Sequence, residues 1–294
     1  PNPLAFFVEE TNYSLSVYDL AHITMPYFPE LRNNYEFETR HHYYSNVLHK
    51  AFCIIVGHDL AKDQLVKYYN IQPEKIILKY FEPSVEIAKR GKVKVTSDNL
   101  TKGGPYIFYP AQFWAHKDHI FLLKVIQYVN FDLGFELKLI LCGSDKGNKA
   151  FVQSEVAKLG INHLVQFLGF VSNDELLSLY KESICVVMPS YIGPAQLPVL
   201  EAIELGKLVF IPDREGFRNF YGNFTEYYVP NEIEDLSHKL ASLIQNNMNL
   251  DIVTKSKPTQ PKLSMDQSDF LKYKNKLDDI ITITSTYRSI QDND

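Results

Sequence analysis

Short apolar runs alternate with amphipathic helical segments from residue 104 onward. This alternation is typical of a parallel sheet that is covered by helices on both faces. Turn residues such as CGSDKG and PDREG follow the apolar runs and mark their ends. The pattern predicts five buried strands, at residues 106–109, 137–141, 165–168, 185–188 and 208–211.

The helices between these strands have recognisable ends. Ser172 with Glu175 three positions later predicts a capping box, and Pro198 opens a helix that Gly206 closes. A helix over residues 118–129 has an apolar stripe at the spacing i, i+3, i+4, i+7, which predicts that it packs on the sheet. The stripe consists of Leu122, Val125, Ile126 and Val129.

The first part of the chain has its own pattern of strands and helices. Strands are predicted at 14–18, 53–56 and 75–79, and helices at 35–48 and 60–69. This is half of a second α/β domain, and a strand pattern that begins almost at the first residue indicates that a preceding segment is missing. We expect an incomplete N-terminal domain over residues 1–95.

Polar segments divide the remaining chain. Residues 90–104 have few large apolar side chains and end in paired glycines, so they are predicted to be an interdomain linker. A C-terminal domain is expected over residues 104–262. A loop is predicted at 255–267 and a last helix at 268–284. The last helix lies in a separate C-terminal segment, residues 263–294.

Composition excludes several classes of function. The formal net charge of −5 and the lack of a long Lys/Arg run argue against nucleic-acid binding. No stretch approaches the length of a membrane span, and the first residues lack the layout of a secretory signal, so a cytoplasmic protein is expected. Cys53, Cys142 and Cys185 are odd in number, and the last two lie in apolar runs, which indicates core residues rather than disulfides or metal ligands.

The segment 189–206, PSYIGPAQLPVLEAIELG, runs from a strand through a loop of small residues into a helix. The first turn of such a helix is an anion site, because its free N–H groups and its dipole favour negative charge. Gly193 and Ala195 leave space for a diphosphate, and the two carboxylate oxygens of Glu201 can accept both hydroxyls of a ribose. The alternative is an ordinary turn with a surface Glu.

The segment 109–119, YPAQFWAHKDH, also follows a strand and opens a helix, so it is expected at the same sheet edge. Lys117 is a cation suited to a diphosphate, and Gln112 can supply an amide donor beside it. His116 and His119 form a weak metal signal and are interpreted as solvated or polar-contact residues. Trp114 is either a packing anchor or a stacking surface.

Four segments, in this order and spacing, resemble the C-terminal domain of the retaining glycosyltransferases of family 4, of the type that assembles polysaccharides such as O-antigen. They are PAQFWAHKDH, LCGSD, QFLGFVSNDELLSLYKES and MPSYIGPAQLPVLEAIELGK. The resemblance covers residues 104–230. It implies a GT-B fold, in which two Rossmann-like domains with parallel sheets face a cleft and the second domain holds a nucleotide-sugar.

The resemblance also implies roles for individual residues on the donor side. Lys117 would neutralise the donor diphosphate and Glu201 would hold the ribose. The backbone near Phe170 and Val171 would meet the base. Diphosphate and sugar hydroxyls would be held, with Gln112, by the loop Gly193, Pro194, Ala195, Gln196 and Leu197.

The chain departs from the commonest family pattern at two donor-side positions. Gly193 stands where the family often has Glu, and Gln112 where it often has Arg. The loop GPAQLP resembles a Gly-Pro loop of polysaccharide-assembly members, which favours a subgroup over a loss of activity.

The N-terminal stretch SVYDLAHITMPYFPELRNNYEFETRHHYYSNVLHKAFCIIV is similar to the acceptor side of these enzymes. On that basis Asp19 and His22 are candidate catalytic residues, and Arg32 and Arg40 are candidate acceptor-side residues. The alternative for all four is a set of ion pairs on helix surfaces. Position 57 is Gly where the family often has Ser.

The resemblance implies a retaining hexosyltransferase that needs no cofactor and no metal. The leaving diphosphate would accept the proton of the incoming hydroxyl, while Lys117 and the helix N-terminus stabilise its charge. The partners would be a nucleotide-sugar and a saccharide or lipid-linked acceptor, which would bring the protein to the cytoplasmic face of a membrane. The alternatives are a catalytically weak or inactive nucleotide-sugar-binding module, a sugar-nucleotide epimerase, and an NAD enzyme, against which the lack of G-x-G-x-x-G counts.

Overall fold

The computed structural model describes residues 12–80 and 103–248, together with positions 5, 7, 8, 275 and 278. These residues form two parallel sheets, one of three strands and one of six. The predicted linker lies outside the described residues except for 103 and 104. The predicted loop 255–267 lies outside them, and so does the predicted last helix apart from positions 275 and 278.

The N-terminal sheet has the strand order β1-β2-β3, and all its pairs are parallel. Its strands are β1 (Ser14–Val17), β2 (Cys53–Val56) and β3 (Ile76–Leu78). Its helices are α1 (Ala21–Thr24), α2 (Glu36–Val47) and α3 (Asp59–Tyr69). The sheet and α2 and α3 enclose one apolar core.

The C-terminal sheet has the order β6-β5-β4-β7-β8-β9, again with parallel pairs throughout. Its strands are β4 (Tyr106–Pro110), β5 (Lys138–Cys142), β6 (Val165–Gly169), β7 (Cys185–Val187), β8 (Val209–Pro212) and β9 (Glu226–Tyr228). Chain order therefore runs outward from β4 to one edge, returns to the middle, and runs from β7 to the other edge. This is the strand order of a Rossmann fold.

Within residues 103–248, six helices accompany the C-terminal sheet. They are α4 (His119–Phe131), α5 (Lys149–Lys158), α6 (Asn173–Glu182), α7 (Leu197–Glu204), α8 (Phe217–Tyr221) and α9 (Ile233–Met248). The apolar stripe predicted for α4 is fully buried, and Asp118 caps this helix by accepting a hydrogen bond from the Phe121 N–H. The Ser172 and Glu175 capping box is present at α6.

The five predicted C-terminal strands are present, and no end is shifted by more than one residue. The sequence pattern does not predict β9, which has only three residues and begins with an exposed Glu226. In the N-terminal sheet, the strand predicted at 75–79 is shorter, because residues 73–75 form a 3-10 turn. All three cysteines are buried and free, as expected.

Candidate functional site

The strand order reverses between β4 and β7, which lie side by side in the sheet. At such a switch point the loops after the two strands leave in opposite directions and open a crevice, where ligands of doubly wound sheets bind. Residues 110–118 follow β4, and we call them the first corner. Residues 188–198 follow β7, and we call them the second corner. Both segments that the sequence singles out for chemistry therefore lie at the switch point.

The two corners line one cleft of about 600 Å³, the large cleft, and the N-terminal domain forms its far wall. The first corner contributes Pro110, Ala111, Gln112, Trp114, His116 and Lys117. The second contributes Met188, Ile192, Gly193, Ala195, Gln196, Leu197 and Pro198, with Glu201 behind them. Tyr18, Asp19 and His58 face them from the N-terminal domain.

Lys117 connects the two corners. Its ammonium Nζ donates to the hydroxyl of Ser190 at 3.3 Å, and the Tyr191 N–H donates to the His116 carbonyl at 2.9 Å. Burial lowers the pKa of Lys117 to about 8, because the charged ammonium loses water, and the nearby carboxylate of Asp19 opposes the shift. A bound anion would stabilise the charged form of such a partly desolvated ammonium.

The second corner presents fewer free N–H groups than the sequence indicates. The Leu197 N–H lies at the first position of α7 and has no partner within the helix, while Pro198 has no N–H. The Val199 N–H is already bonded to the Gln196 carbonyl at 3.1 Å. The groups that this helix end offers to an anion are therefore the Leu197 N–H and the helix dipole.

The loop before α7 is held in shape by its own side chains. The Gln196 amide donates to the Gly193 carbonyl at 3.0 Å, so this side chain braces the loop rather than reaching for a ligand. Pro194 is buried, and its carbonyl accepts a hydrogen bond from the Tyr221 hydroxyl. Gly193 has φ +62, a conformation that favours glycine, and carries no side chain into the cleft.

Glu201 lines the large cleft one turn behind the helix start. One of its carboxylate oxygens, Oε2, accepts a hydrogen bond from the buried hydroxyl of Tyr180 at 2.9 Å. This contact fixes the carboxylate and leaves Oε1 for a ligand. Burial raises the pKa of Glu201, and the Tyr180 hydrogen bond opposes that shift.

Gln112 and Trp114 form one unit on the wall of the large cleft. The Gln112 side-chain oxygen accepts a hydrogen bond from the Trp114 indole N–H at 3.0 Å. Trp114 lies over the ring of His116 with the ring planes 21° apart. The indole therefore presents an aromatic surface at the cleft rather than anchoring a core, which resolves the alternative left by the sequence.

Two predicted donor-binding residues do not line the large cleft. Phe170 is 92% exposed and follows β6, which β5 and β4 separate from β7, while Val171 is partly buried against the core. The structure therefore does not bring these two residues together with Lys117 and Glu201 at this cleft.

The candidate residues of the N-terminal domain also differ in whether they line the large cleft. Asp19 lines the cleft, and its carboxylate accepts hydrogen bonds from the Ala21 N–H and from Arg40 Nη2 at 2.9 Å. Arg40 is thus engaged in an ion pair with Asp19. Arg32 is exposed and lies outside the large cleft.

His22, a candidate catalytic residue, is fully buried and does not line the cleft. Its ring Nε2 is 3.0 Å from the Tyr69 hydroxyl, and desolvation lowers its pKa to about 4. The ring therefore has no path to a substrate. We interpret His22 as a residue that packs α1 against α2 and α3.

His116 in the first corner and His119 at the start of α4 have different environments. His116 Nδ1 is 2.5 Å from a carboxylate oxygen of Glu30, and the same oxygen accepts the His116 N–H at 2.8 Å. This contact joins the two domains. His119 is 1% exposed and stacks on Phe113 with ring centroids 4.5 Å apart, so its interpretation as a solvated or polar-contact residue is wrong.

The sequence patterns miss three residues of the site. Ser190 and Tyr180 matter through their contacts with Lys117 and Glu201, which join segments 73 and 21 residues apart. His58 caps α3 and lines the large cleft. A signal for His58 was available in the sequence, since it follows an apolar run and opens a helix, but His is not a usual capping residue.

Gly143 follows β5 and lets the first corner approach the neighbouring strand closely. A Cβ atom at this position would lie 2.2 Å from the Ala111 carbonyl oxygen and 2.9 Å from the Gln112 nitrogen. We expect Gly143→Ala to displace the first corner and to lower the free energy of unfolding by about 1–3 kcal/mol. Chemical denaturation measures this, with Gly147→Ala as the control.

The control separates the clash from backbone strain. Gly147 also has a positive φ, but a Cβ there would meet no atom within 4 Å. Equal losses of stability in the two variants would show that the contact with Ala111 does not matter.

The described residues contain neither a membrane-spanning helix nor a metal-binding cluster. No helix among them is long and apolar enough to cross a bilayer. Within residues 12–80 and 103–248, no group of three or more His, Cys, Asp or Glu side chains is placed to hold a metal ion.

Two Rossmann-like units that face each other across a cleft define the GT-B class of fold, and solved structures support this. The chain resembles Anabaena HepE in its complex with UDP and glucose with a TM-score of 0.64 and 14% identity, over 92% of this chain and 72% of that one. At this identity the likeness establishes the fold alone.

The family described as "Glycosyl transferases group 1" matches residues 94–258, more than half of the chain. The chain therefore belongs to this family. It is 38% identical over 74 residues to an uncharacterised glycosyltransferase of Methanocaldococcus jannaschii, and 22% identical over 242 residues to the O-antigen chain mannosyltransferase B of Escherichia coli. These alignments cover 25% and 81% of this chain.

The chain spans less than two thirds of the length of these relatives. The alignments cover 19% of the Methanocaldococcus protein and 62% of the Escherichia coli protein.

Proposed function

We propose that the protein transfers a hexose from a nucleotide-sugar to a saccharide or lipid-linked acceptor with retention of configuration, at the cytoplasmic face of a membrane. The observation that carries this proposal is the convergence of the two corners on one cleft, which both Lys117 and the start of α7 line. Membership in the glycosyl transferases group 1 family and the likeness to a GT-B protein in complex with UDP and glucose support it.

The chemistry of the cleft suits a leaving diphosphate. Breaking the bond between the anomeric carbon and the phosphate oxygen places negative charge on that oxygen. Lys117 and the Leu197 N–H are positioned to stabilise this charge without reorganisation. The acceptor hydroxyl forms the new bond on the same face of the sugar, and its proton passes to the leaving phosphate oxygen.

A second cleft of about 410 Å³, the small cleft, is suited to the acceptor. It adjoins the large cleft, because Asp19, His58, Ile192 and Gly193 line both. Asp63, Gln64 and Lys67 supply polar groups from α3. Arg214 lies 3.8 Å above the centre of the Tyr191 ring, on the other wall. A sugar binds well between such polar groups and an aromatic ring.

A ligand screen followed by an activity assay tests the proposed function. A nucleotide that binds only the folded protein raises its melting temperature. We expect UDP, GDP, dTDP or ADP to do so, while the matching nucleosides do not. A nucleotide-sugar that carries the same base should then be used for sugar transfer or be hydrolysed slowly. Binding with no turnover of any donor would indicate a non-catalytic binding module instead.

The pH profile depends on Lys117. Its pKa of about 8 means that the ammonium of the free enzyme is lost as the pH rises through 8. We therefore expect kcat/KM to fall above about pH 8, and Lys117→Arg, which stays charged, to remove that decline. A profile for the wild type that is flat to pH 10 would contradict the assignment.

Charge stabilisation by Lys117 and the helix start predicts that no divalent metal is needed. Transfer should keep its rate after dialysis against EDTA, and added Mg²⁺ or Mn²⁺ should change it less than twofold. Loss of transfer in EDTA that Mn²⁺ restores would contradict this prediction.

A further inference from the structure

His58 lies where the two clefts meet. It follows β2 after Gly57 and is the capping residue of α3, so two regular elements fix its backbone. Its side chain is 3% exposed, and it lines the large cleft, the small cleft and a third, minor pocket. The residue is therefore nearly buried in the protein and yet faces the space that a ligand would occupy.

The cap determines which ring nitrogen of His58 carries the proton. Nδ1 accepts a hydrogen bond from the Ala61 N–H at 3.1 Å. A backbone N–H can only donate, so Nδ1 is unprotonated and the proton of the neutral ring is on Nε2. Burial lowers the pKa of His58 to about 4, against the opposing charges of Asp19 and Asp59 and the Tyr18 carbonyl. At neutral pH the ring thus presents Nε2 as a donor.

Among the described residues this donor forms no hydrogen bond of good geometry, and the Tyr18 carbonyl is the backbone acceptor nearest to the ring. A buried N–H without an acceptor is costly, so a ligand that supplies an acceptor gains the missing bond. Gly193 lies directly opposite, and a Cβ atom built there would be 3.9 Å from Nε2. The Nε2 edge of the ring therefore lies beside the loop of the second corner, and a side chain at position 193 would pack against it.

We propose that His58 positions the nucleotide-sugar by donating a hydrogen bond from Nε2 to a hydroxyl of the transferred sugar, beside Gly193 where the two clefts meet. This inference rests on the proposed function. The diphosphate is assigned to Lys117 and Leu197, whereas the junction of the two clefts is where the sugar has to meet the acceptor. A neutral N–H suits a neutral hydroxyl there.

Two substitutions separate the two nitrogens of the ring. In His58→Asn the side-chain oxygen can replace Nδ1 as the cap, because Asn is a preferred capping residue, but nothing replaces Nε2. In His58→Gln the longer amide can place an N–H near the position of Nε2. His163→Asn is the control, since His163 is exposed and outside both clefts.

Calorimetry compares the binding of UDP-glucose and GDP-mannose with that of UDP and GDP. We expect His58→Asn to weaken binding of the active nucleotide-sugar about tenfold, to change binding of the sugar-free diphosphate less than twofold, and to keep the melting temperature. His58→Gln should restore part of the loss, and His163→Asn should resemble the wild type.

Equal weakening of both ligands, or no weakening of either, would overturn the role of His58. If the Asn variant does not fold, deoxy analogues of the sugar donor test the wild type against the Gln variant. Removing one particular hydroxyl of the sugar should then weaken binding to the wild type more than binding to the Gln variant. If every analogue loses the same affinity for both proteins, the proposal is overturned. Failure of the proposed function is distinct, because the wild-type chain would then bind none of UDP, GDP, dTDP and ADP in the ligand screen.

Discussion

Replacing Lys117 by Ala is expected to lower kcat for sugar transfer by about 10²–10³-fold, the usual effect of removing one group that stabilises charge in a transition state. Lys117 is the ammonium held between the corners through its contact with Ser190, and its pKa of about 8 reflects a desolvated position. An uncompensated charge on the leaving diphosphate would raise the barrier. Steady-state kinetics with the nucleotide-sugar that the ligand screen identifies measures the effect.

Lys124→Ala is the matched control for this substitution. Lys124 lies on α4, seven positions after Lys117, but its side chain is exposed and outside both clefts. It should keep the kcat of the wild type. Similar small effects in the two variants would remove Lys117 from the diphosphate site.

The second large effect is expected at the contact between the domains. Glu30→Ala removes the acceptor of both the His116 N–H and Nδ1, and both side chains of this pair are largely buried. Leaving such groups unpaired should lower the free energy of unfolding by about 3 kcal/mol. Differential scanning calorimetry should record a fall in melting temperature of roughly 6–12 °C.

The same variant should also weaken nucleotide binding, because His116 precedes Lys117 in the first corner. Glu30→Gln keeps a side-chain oxygen in place and should lose much less stability, and Glu38→Ala, at an exposed position of α2, should lose almost none. A melting temperature for Glu30→Ala equal to that of Glu38→Ala would mean that the contact with His116 does not hold the domains together.

The local patterns of the sequence predict most of the fold. The apolar runs place five strands of the C-terminal sheet, and capping and turn residues place the ends of α4, α6 and α7. The pattern does not predict β9, because its three residues pass from exposed through half-buried to buried and form no apolar run. Local patterns do not predict the order of the strands in the sheet either. Two strand-to-helix corners at the same sheet edge nevertheless predict that they share a cleft.

The candidate site is predicted less completely, for reasons that concern individual side chains. Lys117 and Glu201 lie in corner segments that the sequence marks clearly, and both line the cleft. His119 was misinterpreted because its burial depends on Phe113 and on the sheet beneath it. The pairing of Arg40 with Asp19 and of His116 with Glu30 joins positions 21 and 86 residues apart, and no local pattern indicates such contacts.

A crystal structure with the nucleoside diphosphate that gives the largest thermal shift tests the central claim most directly. Oxygens of one diphosphate should lie within about 3 Å of both the Lys117 ammonium and the Leu197 N–H, with the ribose hydroxyls on Glu201. A diphosphate that contacts one corner only, or that binds away from the large cleft, would contradict the account.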